Sequence, residues 1–203
     1  MGERSQDDAA LLDSIRREEP GAFESFVDRF GSRILGFGLR FCGEREDAKD
    51  VLQETLIKAF HSLKDLRDPG AVRSWLYRVA ANACLMKRRK GKFEPDRELS
   101  LDDLAPRGGR AVTVEIPDAS SMPDEELARG ELAASLKEAI AELPPHYRMV
   151  LIMRDMEGLS TREVGEALDL EPSAVKMRLH RARLAVRQRL EGYLAGSGPE
   201  AGS

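Results

Sequence analysis

Apolar residues along this chain recur at steps of three and four, the spacing of one helical face, and sustained alternation is confined to a short AVTVEI stretch. The pattern predicts an all-α protein. Residues 8–18 form a short first helix, closed by Pro20. Phe23, Phe26, Val27, Phe30, Ile34 and Leu35 draw a stripe on a second helix. The third is the most regular. Ala48, Val51, Leu52, Thr55, Leu56, Ala59, Phe60 and Leu63 share one face, while Asp47, Asp50, Gln53 and Glu54 hold the opposite, acidic one. A polar loop, SLKDLRDPG, leads into a fourth helix over 71–90, with Val72, Trp75, Leu76, Val79 and Met86 inward and a basic end.

From residue 92 helical periodicity stops, and Pro95, Pro106, Gly108, Gly109, Pro117 and Pro123 punctuate an acidic stretch. About 30 structureless residues inside one compact domain are unusual, so a domain boundary belongs here. A flexible chain of this length averages ~30 Å end to end and extends to ~100 Å, enough for the flanking units to reach well-separated sites. The division is therefore two small helical domains, 7–91 and 124–195, joined by a flexible linker over 92–123 and followed by a tail over 196–203 with the composition of a disordered end.

In the second unit, Leu127, Leu132, Leu136, Ile140 and Leu143 form the first stripe, ended by Pro144 and Pro145. Pro145 also suits the first turn of the next helix, which runs through Tyr147, Val150, Leu151 and Met153 to Gly158. A helix-turn-helix follows. Ser160 and Glu163 have capping-box spacing, Val164, Ala167 and Leu168 face inward, and Gly165 permits close helix approach. After the turn at Asp169, Leu170 and Glu171, Pro172 starts a helix whose packed side is Val175, Leu179, Ala182 and Val186. Ser173, Lys176, Arg178, Arg181, Arg183, Arg187 and Arg189 occupy its other faces. In such motifs the start of the second helix reaches base edges and flanking basic residues neutralise phosphates. Ser173, Lys176 and Arg178 are thus the base-reading candidates, and Arg181 and Arg183 the phosphate candidates.

Charge sharpens that picture. The 203 residues carry a formal net charge of −4, which does not mark a nucleic-acid binder, but the charge is segregated. Residues 78–92 and 172–190 are basic without one acidic residue, and acidic residues gather over 44–54 and 94–126. A solvated helix face normally mixes signs, so an all-basic face repels itself unless a polyanion completes it. Cys42 and Cys84 stand in apolar surroundings without a CxxC pair, as buried thiols do, and His61, His146 and His180 are scattered. The sequence therefore offers no metal or cofactor site and no catalytic constellation. No apolar run approaches the ~20 residues that span a bilayer, and MGERSQDDAALL does not resemble a signal peptide, so a cytoplasmic location is expected.

DAKDVLQETLIKAF, VRSWLYRVAANACLMKRRK and LPPHYRMVLIMRDMEGLSTREVGEALDLEPSAVKMRLHRAR resemble, in order and spacing, three signatures of the extracytoplasmic-function (ECF) sigma factors, group 4 of the sigma-70 family of bacterial RNA polymerase. The resemblance covers nearly the whole chain outside linker and tail. It implies that the first unit is sigma region 2, binding the polymerase clamp helices and the −10 promoter element, and that the second is region 4, binding the −35 element. By that resemblance Asp47, Asp50, Gln53 and Glu54 dock core polymerase; Asp47 alone fits a solvated face as well. The loop over 62–74 would be the −10 specificity loop, with Leu63, Lys64, Asp65 and Arg67 capturing bases and Asn82, Lys87, Arg88 and Arg89 holding the −10 strand. Trp75, spaced with Val72 and Val79, belongs to the core.

The implied activity is that of an alternative sigma factor that directs initiation at a specific regulon without catalysis of its own. Its partners would be core RNA polymerase, promoter DNA and an anti-sigma factor, often membrane-bound in this family. No small-molecule substrate and no membrane insertion are expected. The family also threads the linker through the polymerase interior; Glu94, Asp96, Asp102 and Asp103 suit a passage built for RNA, and a solubilising tether accounts for them equally. A free-standing regulator could use the same helix-turn-helix, but its other half should carry a ligand or phosphoacceptor domain, usually with strands. An enzyme acting on DNA would need a metal or nucleophile cluster.

Overall fold

The computed structural model describes the backbone of residues 2–90 and 123–196 and the side chains of 7–87 and 130–191. The linker and tail expectations, and the side chains of Arg88 and Arg89, lie outside the described residues. Within them the chain is helical: α1 (Gly2–Arg16), α2 (Ala22–Cys42), α3 (Arg45–Ser62), α4 (Val72–Lys90), α5 (Pro123–Glu142), α6 (Pro145–Leu151), α7 (Thr161–Leu168) and α8 (Pro172–Gly196). None of these helices is long and apolar enough to cross a membrane.

The first unit is organised by α2, on which Phe26, Phe30, Ile34, Phe37 and Phe41 line one fully buried edge. The helix stops at Gly43, whose φ of 84° is left-handed and whose N–H closes on the Leu39 carbonyl at 3.1 Å. Against it lies α3, close enough at Gly38 that a Cβ there would stand 3.1 Å from the Ala48 Cα. Val51, Thr55 and Ala59 continue that buried face. α4 completes the core with Val72, Leu76, Ala80 and Cys84; Trp75 packs partly against it. Both cysteines are free thiols, and their sulfurs lie 3.6 Å apart between the end of α2 and α4.

Four apolar positions depart from the sequence reading. Phe60 and Met86 are 62% and 52% exposed, and Leu132 and Leu136 also face solvent, although Ile140 on the same helix and Leu143 just after it are buried. Phe60 falls at the edge of a wide stripe and rests on Phe23, rings perpendicular and 5.1 Å apart.

In that second unit, Leu143, Tyr147, Val150, Ile152, Val164, Val175 and Ala182 form the core. α6 does not run on as one helix to Gly158. It widens into a π turn over Ile152–Met156, where the Glu157 N–H reaches back to the Ile152 carbonyl at 2.9 Å. The two units also pack on each other: α7 lies against α4, while α5, α6 and the π turn lie against α2.

Candidate nucleic-acid interface

The helix-turn-helix forms as its residues require. The Ser160 hydroxyl accepts from the Glu163 N–H at 3.2 Å, and the Glu163 carboxylate accepts from the Ser160 N–H at 2.7 Å. Asp169 takes the left-handed conformation at the turn, φ 55°, and the Leu170 N–H bonds the Gly165 carbonyl at 2.9 Å. Only glycine fits at 165, because a Cβ would sit 2.7 Å from the Leu170 carbonyl oxygen. α8 then buries Val175, Leu179, Ala182 and Val186 and turns Ser173 and Lys176 to solvent, with Arg178 half-exposed. None of these three makes an ion pair among the described residues. Met177, 45% exposed beside Lys176, is an apolar group that periodicity did not single out; it suits a thymine methyl.

The phosphate candidates are placed differently. Arg183 grips Asp155 with two hydrogen bonds of 2.8 and 2.6 Å, which hold its guanidinium above the ordinary pKa. Arg181 donates to the Tyr147 hydroxyl at 3.2 Å. Arg187 pairs with Glu191, and Arg189 with Glu142. The expectation that only a polyanion could balance this helix is corrected for Arg183, Arg187 and Arg189, which pair with carboxylates from the π turn, the end of α8 and α5. The start of α8 is the part left open.

On α3, Asp50 and Gln53 are exposed and Asp47 and Glu54 half-exposed. Their face continues into Ile57, 51% exposed, and Phe60, so it is an acidic edge running into an apolar one. That combination is more characteristic of a protein contact than acidity alone. Lys87, expected on the −10 strand, bonds Asp50 in the free chain and lies 3.7 Å from Asp47, an arrangement that raises its pKa. It joins the two candidate faces. Lys58 pairs with Glu54 at 2.7 Å.

The loop after α3 is built of two 3-10 turns, Leu63–Asp65 and Pro69–Ala71. Asp68 caps the second, accepting from the Gly70 N–H at 2.8 Å, and Arg16 reaches over from α1 to the Leu66 and Arg67 carbonyls. Lys64, Asp65 and Arg67 are exposed, as is Asn82 on α4. Leu63 is not: it is fully buried, four residues beyond Ala59 on the inward face, and its assignment to base capture is corrected.

Sequence reasoning missed the seam between the units entirely. The Glu157 side chain, 5% exposed, is held by Arg40 from α2 and by the Tyr77 hydroxyl from α4. Arg73 donates to the Glu157 carbonyl at 2.9 Å and faces the Glu163 carboxylate at 3.9 Å. Arg78 donates to the carbonyl of Glu166 near the C-terminal end of α7, where helix carbonyls lack partners of their own. Buried Arg148 of α6 donates to the Phe41 carbonyl of α2 at 3.0 Å. Burial pushes the Tyr77 phenol above its ordinary pKa, against the pull of Arg73, Arg33 and Arg40, so it remains a donor. Burial lowers that of Arg40.

Among known families, the model for "Sigma-70 region 2" matches residues 26–94 and that for "Sigma-70, region 4" matches residues 133–186. The RNA polymerase sigma-H factor of Pseudomonas aeruginosa is 30% identical over 192 residues, 93% of this chain and 96% of that protein. The ECF RNA polymerase sigma factor SigW of Bacillus subtilis is 29% identical, over 88% of this chain and 94% of that protein. A solved structure of the sigma factor RpoE with the anti-sigma factor NepR, from Bartonella quintana, aligns with a TM-score of 0.61 at 17% identity, over 84% of this chain and 98% of that one. The structural likeness is one of fold.

Proposed function

This chain belongs to the ECF group of the sigma-70 family, and from that premise we propose that its first helical unit, 7–91, carries core polymerase docking and −10 binding while its second, 124–195, reads the −35 element. As an alternative sigma factor it associates with core RNA polymerase, selects promoters and starts transcription of a regulon. The observation that carries the division of labour is one chain holding a region 2 match, with an acidic and apolar face on α3, ahead of a region 4 match ending in a helix-turn-helix.

Asp47, Asp50, Gln53 and Glu54, extended by Ile57 and Phe60, form the docking face for the clamp helices. Lys64, Asp65, Arg67 and Asn82 face the unpaired −10 strand, joined by Arg88 and Arg89. Opening the duplex is then driven by binding: extruding a base costs a few kcal/mol, which these contacts offset. Ser173, Lys176 and Arg178 read the −35 duplex. The chain acts through binding rather than catalysis, works in the cytoplasm, and is restrained by an anti-sigma factor of the kind seen with its structural relative. The acidic linker over 92–123 tethers the two readers.

The test is reconstitution. Purified protein added to core RNA polymerase yields specific transcription starts that core alone does not make. Tight binding to duplex DNA without binding to core would instead identify a free-standing regulator.

A further inference from the structure

The loop after α3 is closed from within at its two ends and from outside at its middle. In the first 3-10 turn the Leu66 N–H bonds the Leu63 carbonyl at 3.1 Å, and in the second the Ala71 N–H bonds the Asp68 carbonyl at 3.0 Å. The joint between them is held by Arg16, in the last turn of α1. One terminal nitrogen of its guanidinium donates to the carbonyls of both Leu66 and Arg67, the latter at 3.4 Å. The other is fixed to the Asp13 carboxylate one helical turn earlier, at 3.2 Å, and Leu12 anchors α1 in the core of the first unit. Just past the helix, the Glu18 carboxylate stands 3.9 Å from the Lys64 ammonium. Two of the loop positions assigned to base capture, Lys64 and Arg67, are thus met from α1 and the residues that follow it. That helix lies ahead of 26–94, the stretch that matches region 2.

The carbonyls of Leu66 and Arg67 belong to the two peptide planes that flank the Arg67 Cα, so a donor fixed to both sets the direction in which the Arg67 side chain leaves the loop. Lys64, Asp65 and Arg67 are exposed, and their bearing is inherited from the backbone. A loop free to swivel would adjust to right and wrong bases alike and would pay an ordering cost for either, whereas a loop held in one pose discriminates between them. We propose that Arg16 is a positioning residue for −10 specificity: α1, through the Arg16 guanidinium on the Leu66 and Arg67 carbonyls, sets the pose in which the loop offers its side chains to the unpaired strand. The proposal rests on the promoter-reading function above and adds to it a determinant that touches no base. Arg17, the next residue, is exposed and pairs only locally, with Glu19 at 3.3 Å, so position and not charge singles out Arg16.

The test uses holoenzyme reconstituted from core RNA polymerase and the full chain, with a pool of duplexes randomised over both promoter elements as probe; the fragments it retains are sequenced. Arg16→Ala removes the brace, Arg16→Lys keeps a cation that cannot fork between the loop and Asp13, and Arg17→Ala removes the same charge one residue away. In Arg16→Ala the preference for the best over the next base at −10 positions falls about three- to tenfold, while the preference at −35 and the affinity for core stay as in wild type. Arg16→Lys recovers part of the loss, and Arg17→Ala matches wild type. Circular dichroism reports folding; if the alanine variant is unfolded, the lysine variant decides, with a −10 preference below wild type. An unchanged −10 preference, an equal loss at both elements, or the same loss in Arg17→Ala overturns the brace while the wild-type selection leaves promoter reading standing. Wild-type holoenzyme that selects no sequence strikes the promoter reading itself, and the brace with it.

Discussion

The hydroxyl of Tyr77 on α4 donates to the carboxylate of Glu157, eighty residues later, and closes the seam between the two helical units from the first unit's core. The Tyr77 ring is 1% exposed and meets Phe37 edge-on at 5.4 Å, so Tyr77→Phe keeps the packing and removes only the donor. A hydrogen bond to a charged group contributes about 1.5–3 kcal/mol. Tyr77→Phe should therefore lower Tm and loosen the seam while leaving isolated region 2 packing intact, as thermal unfolding and small-angle scattering would report. An unchanged scattering profile and Tm would mean the bond carries no weight.

Gly165→Ala forces a methyl to within 2.7 Å of the Leu170 carbonyl. Overpacking of this kind costs about 1–3 kcal/mol. Thermal melts should show the loss, and binding to a −35 duplex should weaken with it because the turn that aims α8 is displaced.

Lys176→Ala and Arg178→Ala should weaken binding to the −35 duplex by about 1–3 kcal/mol each and relax base preference there. Arg183→Ala should behave differently. Its guanidinium is committed to Asp155, so the variant should lose stability and keep its base preference. Competition binding across a set of altered −35 duplexes separates the two outcomes.

Ile57→Ser should weaken association with core polymerase by about 1–2 kcal/mol, the cost of truncating an apolar contact in a protein interface. At 51% exposure Ile57 adds little to the core, so Tm should barely move. Titration of labelled protein against core polymerase measures the first effect, and a melt the second.

Diamide should close a disulfide between Cys42 and Cys84, whose sulfurs need to approach by about 1.5 Å from their present 3.6 Å to reach bonding distance. The hydrogen bond with the Cys42 thiol, and then burial, push Cys84 well above the usual thiol pKa, so spontaneous reaction should be slow. Alkylation under denaturing conditions after diamide would then find no free thiol, and dithiothreitol would restore both. Two alkylated cysteines after diamide would count against the proximity.

The elements most legible in the sequence were those set by local rules. The phenylalanines of α2 fall at helical spacing, Ser160 and Glu163 close the capping box their spacing announced, and Pro172 opens α8. Leu63 was misread because the family's −10 loop was laid over it, although its spacing with Ala59 had already put it on the buried face. Phe60 was misread because periodicity fixes the centre of a stripe better than its edges. Arg183 and Arg189 looked unbalanced only because charge was weighed within one helix, and their partners, Asp155 and Glu142, arrive from elsewhere in the chain. The seam left no trace at all. Arg40, Arg73, Tyr77 and Glu157 are ordinary surface residues by composition, and only the folded chain brings them together.

The π turn over Ile152–Met156 acts as a phase shifter. An α-helix advances about 100° per residue, so the residue it accommodates resets the compass bearing of everything downstream by that amount. Glu157 faces α2 and α4 on that bearing, and the axis of the reading helix follows from it. A single deletion in 152–156 would leave each helix individually sound and point the whole motif in another direction.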